Sequence, residues 1–350
     1  MKNHRIKITS TILNLIAEID EFKGLWSLLK NMQPDKLNQL KKVATIESVA
    51  SSTRIEGSKL SDAEVEKLLF GLETHSLKSR DEEEVVGYSD LMNIIFESYS
   101  SIPLTENHIK QLHSILLQHS SKDIKHRGKY KTLPNDVQAF DSTGKSVGII
   151  FATATPFETP LKMTELVKWT DNQFSLKTIH PLLVMATFIV HFLAIHPFQD
   201  GNGRLSRALT TLLLLKYSYV YAPYSSLEAV IEQQKNQYYL ALRQSQKKLF
   251  QKGYNINPWI KFFLNSLKAQ KNNLKSKMDQ LQMINNLPEL SQKILELTKS
   301  LGQITLSEAI SKINTKERTI RDHLYRLSKA GYLIKHGNRK STFYTIGNFP

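Results

Sequence analysis

Between His196 and Arg207 the chain reads HPFQDGNGRLSR, which gathers an imidazole, a carboxylate, two amides, two glycines and two guanidiniums into one short stretch. These residue types suit the handling of a phosphate ester. An imidazole is the side chain that takes a proton near neutral pH, so His196 is the candidate general base. Gly201 and Gly203 let the backbone approach a ligand closely. Arg204 and Arg207 offer planar donors matched to phosphate oxygens, and Asp200 is a hard oxygen ligand for a magnesium ion bridging such phosphates. Each piece alone is weak, because a Gly-x-Gly is a common turn and two arginines one turn apart are usually a solvated face. The combination carries the information. No Gly-x-x-x-x-Gly-Lys-[Ser/Thr] occurs, which excludes a P-loop.

That loop has to be held by what flanks it. Met185, Phe188, Ile189 and Phe192 repeat at helical spacing before it, as do Leu205, Leu209, Leu212 and Leu213 after it. Leu212 to Leu215 are apolar at consecutive positions, as in a central buried helix. Pro181 suits the first turn of the leading helix. His196 then ends one helix, while Arg204 opens the next with Arg207 one turn on along the same face. The N-terminus of that second helix aims unpaired N–H groups and a positive dipole at whatever lies in the loop, an anion hole. From Tyr130 to Thr155 the pattern changes to β-prone pieces, Val137 to Phe140 and Val147 to Thr153, around Asp141 to Gly144; this predicts a β-hairpin that could serve as a flap.

At 350 residues, with 41% hydrophobic and 23% charged residues, the chain is an ordinary globular protein of two or three packed units. It has no cysteine, which excludes disulfides, thiolate catalysis and the common zinc frameworks. Forty-seven Lys and Arg against 32 Asp and Glu give a formal +15, so an anionic partner is expected, although a lysine-rich solvated surface would give the same balance. Glu18, Asp20 and Glu21 interrupt the N-terminal apolar positions, unlike a signal peptide, and the longest apolar run, 181–195, is shorter than the ~20 residues a bilayer needs. A cytoplasmic protein with no membrane contact is the expectation.

HPFQDGNGRLSR meets every fixed position of His-Pro-Phe-x-Asp-Gly-Asn-Gly-Arg-x-x-Arg, and on this the chain resembles the Fic (filamentation induced by cAMP) family. The stretch LTENHIKQLHSILL from Leu104 is similar to that family's early core helix, Gly128 to Tyr130 with the hairpin to its target-holding flap, and Asn236 to Leu242 to the segment lining its adenine pocket. The resemblance covers about the first three quarters of the chain. It implies a Fic-type helical bundle with a small β-hairpin flap, and transfer of AMP from ATP to a Tyr, Thr or Ser hydroxyl of a target protein or of the enzyme itself. His196 would take the hydroxyl proton, Asp200 would hold Mg2+, and Asn202 with the Gly201 and Gly203 amides would bind the α-phosphate. Arg204 and Arg207 would take the β- and γ-phosphates, with Tyr238 and Tyr239 at the adenine, and Phe198 would anchor the loop in the core. Gly203, where a lysine would point to phosphorylation, favours AMP transfer.

Ser52-x-x-x-Glu56-Gly57 resembles the family's inhibitory motif, (Ser/Thr)-x-x-x-Glu-(Gly/Asn), in its N-terminal placement. A Glu56 carboxylate on Arg207 would take the γ-phosphate's partner and put negative charge where ATP needs positive. The plainer reading is a helix end capped by Gly57. A reverse reaction, in which Glu56 positions a water to remove AMP, is a lesser alternative.

Four regions are expected: an N-terminal helical region over 1–95 with the inhibitory motif, a catalytic core over 96–267, a polar and basic linker or linking helix over 268–286, and a winged helix-turn-helix domain over 287–350. In the last, three apolar-periodic helices precede strands at Tyr332 to Lys335 and Thr342 to Ile346. Arg318 and Arg321 on the third helix and Lys340 in the wing are candidate DNA contacts. The alternative function is therefore an ATP-sensing transcriptional regulator acting through this tail; a homodimer fits either reading. Zinc chemistry from His191, His196 and Asp200 fits poorly, because the two histidines lie five apart, off the usual i, i+4 pairing.

Overall fold

A computed structural model of the chain describes residues 6–28, 34–71, 77–140, 146–151, 153–247, 249, 254–338 and 341–347; over 137–151 it describes the backbone only. In order the elements are α1 (Ser10–Leu28), α2 (Pro34–Glu56), α3 (Asp62–Phe70), α4 (Arg80–Ser98), α5 (Glu106–Leu116), β1 (Val137–Phe140), β2 (Ser146–Phe151), α6 (Thr159–Leu176), α7 (Pro181–Ile195), α8 (Asn202–Lys216), α9 (Leu227–Gln233), α10 (Lys235–Gln246) and α11 (Asn257–Asn285). These are followed by α12 (Glu289–Leu301), β3 (Ile304–Thr305), α13 (Leu306–Ile313), α14 (Glu317–Lys329), β4 (Leu333–His336) and β5 (Phe343–Ile346). The chain divides into compact units at residues 1–272 and 273–350, a boundary that falls inside α11.

In the first unit α7 is the central rod. Pro181 occupies its first turn, the His180 ring accepts the Leu182 N–H at 3.3 Å, and every residue from Leu182 to Ile195 is buried. Full burial of each Leu, Ile or Phe side chain contributes about 1.5–3 kcal/mol before entropy is counted. α6 and α8 pack against α7, while α2 packs against α4, α8 and α9. That packing brings the end of α2 to the start of α8. α2 stops where Gly57 turns to φ 116°, with Gly57 N–H on Arg54 O at 3.1 Å and Ser58 N–H on Thr53 O at 3.1 Å, the paired bonds of a Schellman ending. Glu56 is thus the last helical residue.

β1 and β2 pair antiparallel with Val137 opposite Phe151 and Phe140 opposite Ser146. The expected turn from Asp141 to Gly144 lies outside the described residues, and β2 ends two residues before the sequence pattern suggested.

In the second unit α12, α13 and α14 surround a core of Ile294, Leu295, Ile304, Ala309, Ile320, Leu324, Leu327 and Leu333, and a small antiparallel sheet runs in the order β3-β5-β4. A reciprocal capping box between Thr305 and Glu308 opens α13. Arg339 and Lys340 lie outside the described residues. The stretch 268–286 is not a break in structure: it continues α11, with Leu274 and Met278 buried, because its scattered apolar positions still fall on one helical face.

Candidate active site

α7 ends on His196, whose backbone is left-handed (φ 53°, ψ 60°) and whose N–H closes on Phe192 O at 2.8 Å. Its Nδ1 lies 3.3 Å from the Leu193 carbonyl. A carbonyl only accepts, so the proton sits on Nδ1 and Nε2 keeps its lone pair. Burial lowers the His196 pKa to about 4, assisted by the charge of Lys131 and opposed by the Leu193 carbonyl, Glu56 and Asp200. The imidazole is therefore neutral at physiological pH and able to accept a proton.

Five residues separate His196 from the start of α8, and side chains of the same loop brace them. Phe198 is fully buried and stacks on His113, centroids 3.8 Å apart and planes 10° from parallel. Asn202 accepts the Phe198 N–H at 2.9 Å and donates to Phe198 O at 2.7 Å. The Asn202 amide thus braces the loop with its oxygen and one of its two N–H protons, and the first turn of α8 adds backbone N–H groups without intrahelical partners. Gly201 caps α8 at φ 77°, a conformation that favours glycine.

The two arginines of the motif differ in what they face. Arg204 is buried, with Nη1 3.0 Å from Glu84 and Nη2 3.3 Å from Asp200. Arg207 donates Nε to Ser52 Oγ at 2.9 Å, and Nη2 to Ser52 O at 2.9 Å and Glu56 Oε1 at 2.8 Å. Its Nη1 is buried with no hydrogen-bond acceptor among the described residues. Burial opposes the Arg207 charge, but Glu56 and its neighbours outweigh that and hold the guanidinium protonated. Both Ser52 and Glu56 therefore reach the motif from α2, and Gly57 supplies the turn that ends the helix there. Arg54, in the same turn, anchors α2 to α9 through two bonds to Glu232 at 2.7 and 2.9 Å.

Asp200 accepts Gly201 N–H at 2.5 Å on Oδ1 and Arg80 Nη2 at 2.7 Å on Oδ2. Burial raises its pKa, yet Arg204, the Gly201 N–H and Arg80 prevail and hold the carboxyl below the ordinary range. Among the described residues no cluster of three or more His, Asp or Glu side chains could hold a metal unaided. A lone, ionised carboxylate at the mouth of a loop nevertheless suits magnesium, which is bound by one or two carboxylates together with substrate phosphates. Arg80 has to leave Oδ2 for that.

Tyr238, on α10, is buried against Trp259 and Phe262, and Tyr239 adjoins it with ring centroids 5.2 Å apart. His191 is buried in α7 with Nδ1 on Thr187 O at 2.7 Å, and among the described residues no group of three ligating side chains joins it to His196. Sequence reasoning missed His113, Arg80, Glu84, Lys131 and Asn135. His113 bridges Gly128 N–H (2.9 Å) and Asp200 O (3.0 Å), and only its place in the quoted core helix could have drawn notice.

Residues 103–214 match the model of the Fic/DOC family. The chain is 30% identical over 230 residues to the protein adenylyltransferase Fic of Drosophila yakuba, and 29% identical over 251 residues to that of Drosophila grimshawi. These matches cover 65% and 71% of this chain but 41% and 46% of the relatives, so the chain spans less than half of their length. Its fold resembles a Fic family protein from Desulfovibrio desulfuricans G20, with TM-score 0.63, 20% identity and 99% of each chain covered. It also resembles a Fic domain containing signaling protein from Bacteroides thetaiotaomicron, with TM-score 0.57, 24% identity, and 76% of this chain and 97% of that one covered.

Proposed function

Because residues 103–214 form a domain of the Fic/DOC family, we propose that the chain is an autoinhibited protein adenylyltransferase, moving AMP from ATP to a Tyr, Thr or Ser hydroxyl of a target protein or of itself. His196 Nε2 takes the hydroxyl proton as the oxygen bonds to the α-phosphorus. The bond from that phosphorus to its bridging oxygen breaks, and pyrophosphate leaves. The N–H groups of Asn202 and Gly203 opening α8 neutralise the α-phosphate, while Arg207 takes the terminal phosphates once Glu56 releases it. Arg204 acts from behind, its charge shared with Glu84 and Asp200. Tyr238 and Tyr239 border the adenine. Asp200 would hold Mg2+ arriving with the nucleotide, which supplies neutralisation of phosphate charge there. An extended target segment would pair with an edge of the β1–β2 hairpin.

The observation that supports this reading most directly is Arg207: a buried guanidinium in the first turns of α8, committed to Ser52 and Glu56 yet left with Nη1 unfilled. Wild type, Glu56→Gly and His196→Ala, incubated with magnesium and α-labelled ATP and weighed intact, test it. Glu56→Gly is expected to gain AMP at a rate ten-fold or more above wild type, on the order of what one ground-state charge contact controls. His196→Ala should gain none. No gain by a folded, ATP-binding Glu56→Gly variant would sink the brake.

A second reading, an ATP-sensing DNA-binding regulator, is favoured by the tail. α14 exposes Arg318, Arg321 and Arg326 with Tyr325, and residues 273–350 hold thirteen Lys and Arg against six Asp and Glu. The order of elements over 289–346, three helices then a hairpin, is that of a winged helix-turn-helix.

A further inference from the structure

Five consecutive carbonyls run through the end of α7 and into the motif, and each meets a donor from outside the helix. Ala194 O accepts Ala154 N–H at 3.2 Å, and Pro197 O accepts Lys131 N–H at 2.8 Å. Ile195 O accepts Lys131 Nζ at 3.1 Å, while Asn135 Nδ2 donates to His196 O at 3.4 Å and to Phe198 O at 2.6 Å. Apart from Asn202 of the motif itself, which also donates to Phe198 O, the donors come from two places, the segment just before β1 and the residues just after β2. Lys131 joins them: the other two protons of its ammonium go to Asn135 Oδ1 at 2.7 Å and Thr153 Oγ1 at 2.9 Å. All three donors are thus used.

Lys131 is 3% exposed, and no carboxylate accepts directly from it. A buried ammonium satisfied only by neutral acceptors is a costly way to fill space, since an apolar side chain of the same length would do so without desolvating a charge. Its place explains it. The left-handed backbone at His196 is one that a residue with a Cβ holds only where its surroundings over-determine it. The bonds from residues 131 and 135 do so on both sides of that residue.

Resting on the adenylyltransferase reading, we propose that Lys131 is the positioning residue of His196: it locks the left-handed turn that aims the imidazole and ties that turn to both roots of the β1–β2 hairpin, so that a target held on the hairpin and the base that deprotonates it move as one body. The ammonium also adds to burial in holding the imidazole neutral. The charged groups facing His196 are Lys131 from the loop before β1, Glu56 from the end of α2, and Asp200 from the motif itself.

The test uses the full chain with Glu56→Gly as parent, which removes one of those charges, and compares Lys131→Met, Lys131→Gln and Lys131→Arg. The two neutral replacements, with and without a donor, guard against one failing to fold. His196 is titrated by imidazole NMR, its signal assigned by its loss in His196→Gln, and AMP transfer is followed against pH with kcat and KM for ATP separated. The neutral variants should raise the His196 pKa by roughly one unit, moving the acid limb of kcat upward by the same amount. Their kcat should fall about ten-fold or more with KM for ATP within about two-fold of the parent, since positioning acts on the transition state. Lys131→Arg should restore both. A folded neutral variant with unchanged His196 titration overturns the proposal, as does a loss confined to KM. If the parent transfers no AMP, the adenylyltransferase reading fails by itself, and the His196 titration still decides for or against Lys131.

Discussion

Gly203 is where the motif and the N-terminal helix compete for space. An ideal Cβ there would lie 2.1 Å from Glu56 Oε1 and 3.3 Å from Arg207 Nη1, so the Glu56 carboxylate occupies the volume that any side chain would need. The glycine thus lets Glu56 reach Arg207. Gly203→Ala should push the carboxylate, the free end of a flexible chain, off Arg207 without touching either partner. A double-mutant cycle with Glu56→Gln, read by denaturant unfolding, checks this. Glu56→Gln should destabilise the wild type by about 1 kcal/mol and the Gly203→Ala background by roughly none, a coupling typical of residues in contact. Additive effects would place Glu56 elsewhere.

At the scale of elements, α2 and α14 are the two helices whose exposed chemistry outruns their packing. α2 has the Schellman ending that makes Glu56 its terminal residue, so the capped helix end also delivers the Glu56 carboxylate to Arg207. In α14, Ile320, Leu324 and Leu327 face the core while Arg318, Arg321 and Arg326 face solvent; Arg326 pairs with Asp322 at 2.9 Å and Arg321 with Glu317. Such surface pairs contribute about 0–1 kcal/mol, little enough for phosphate to displace the carboxylates. If this helix contacts duplex DNA, the full chain binds it at low salt with an affinity falling steeply as salt rises, and the Arg318→Glu, Arg321→Glu double variant lowers the log–log slope by about 2. No binding at about 50 mM salt removes DNA as the partner of the tail.

Two histidines, His113 fully buried and His196 partly buried, contribute to how the molecule responds to acid. Burial, with help from Arg204, lowers the His113 pKa to about 4, and His196 is lowered to about 4 as well. The His113 geometry agrees, since Nδ1 accepts the Gly128 N–H and a protonated ring could not. Below the ordinary value of 6.5 the unfolded chain binds a proton on each that the folded chain declines until about 4. The unfolded state therefore holds more protons, and stability is lost as pH falls from about 6.5 to about 4. Each histidine accounts for roughly 2 kcal/mol by pH 5, enough to lower Tm by several degrees between pH 7 and 5. Calorimetry across that range checks it, and His113→Gln should flatten the trend. A Tm independent of pH would mean that the rings are more solvated than the structure has them.

The sequence by itself determined what is contiguous or periodic. An apolar run behind Pro181 made α7, the glycines of the motif made the break, and the leucines after it made α8; the base, the carboxylate and the arginines were legible because twelve adjacent residues hold them all. Gly57 as a helix stop was legible for the same local reason. What each side chain faces was decided by tertiary structure. Arg204 turned to Glu84 and Arg207 to Ser52 and Glu56 because α4 and α2 pack across α8, contacts that span 120 and 151 residues of chain. Asn202 turned to brace its own loop, and Lys131 and Asn135 found the carbonyls of the turn only once the hairpin roots lay beside α7. Hydrogen bonds and ion pairs between distant segments leave no periodic trace, because a side chain's partner is whichever group packing brings within about 3 Å.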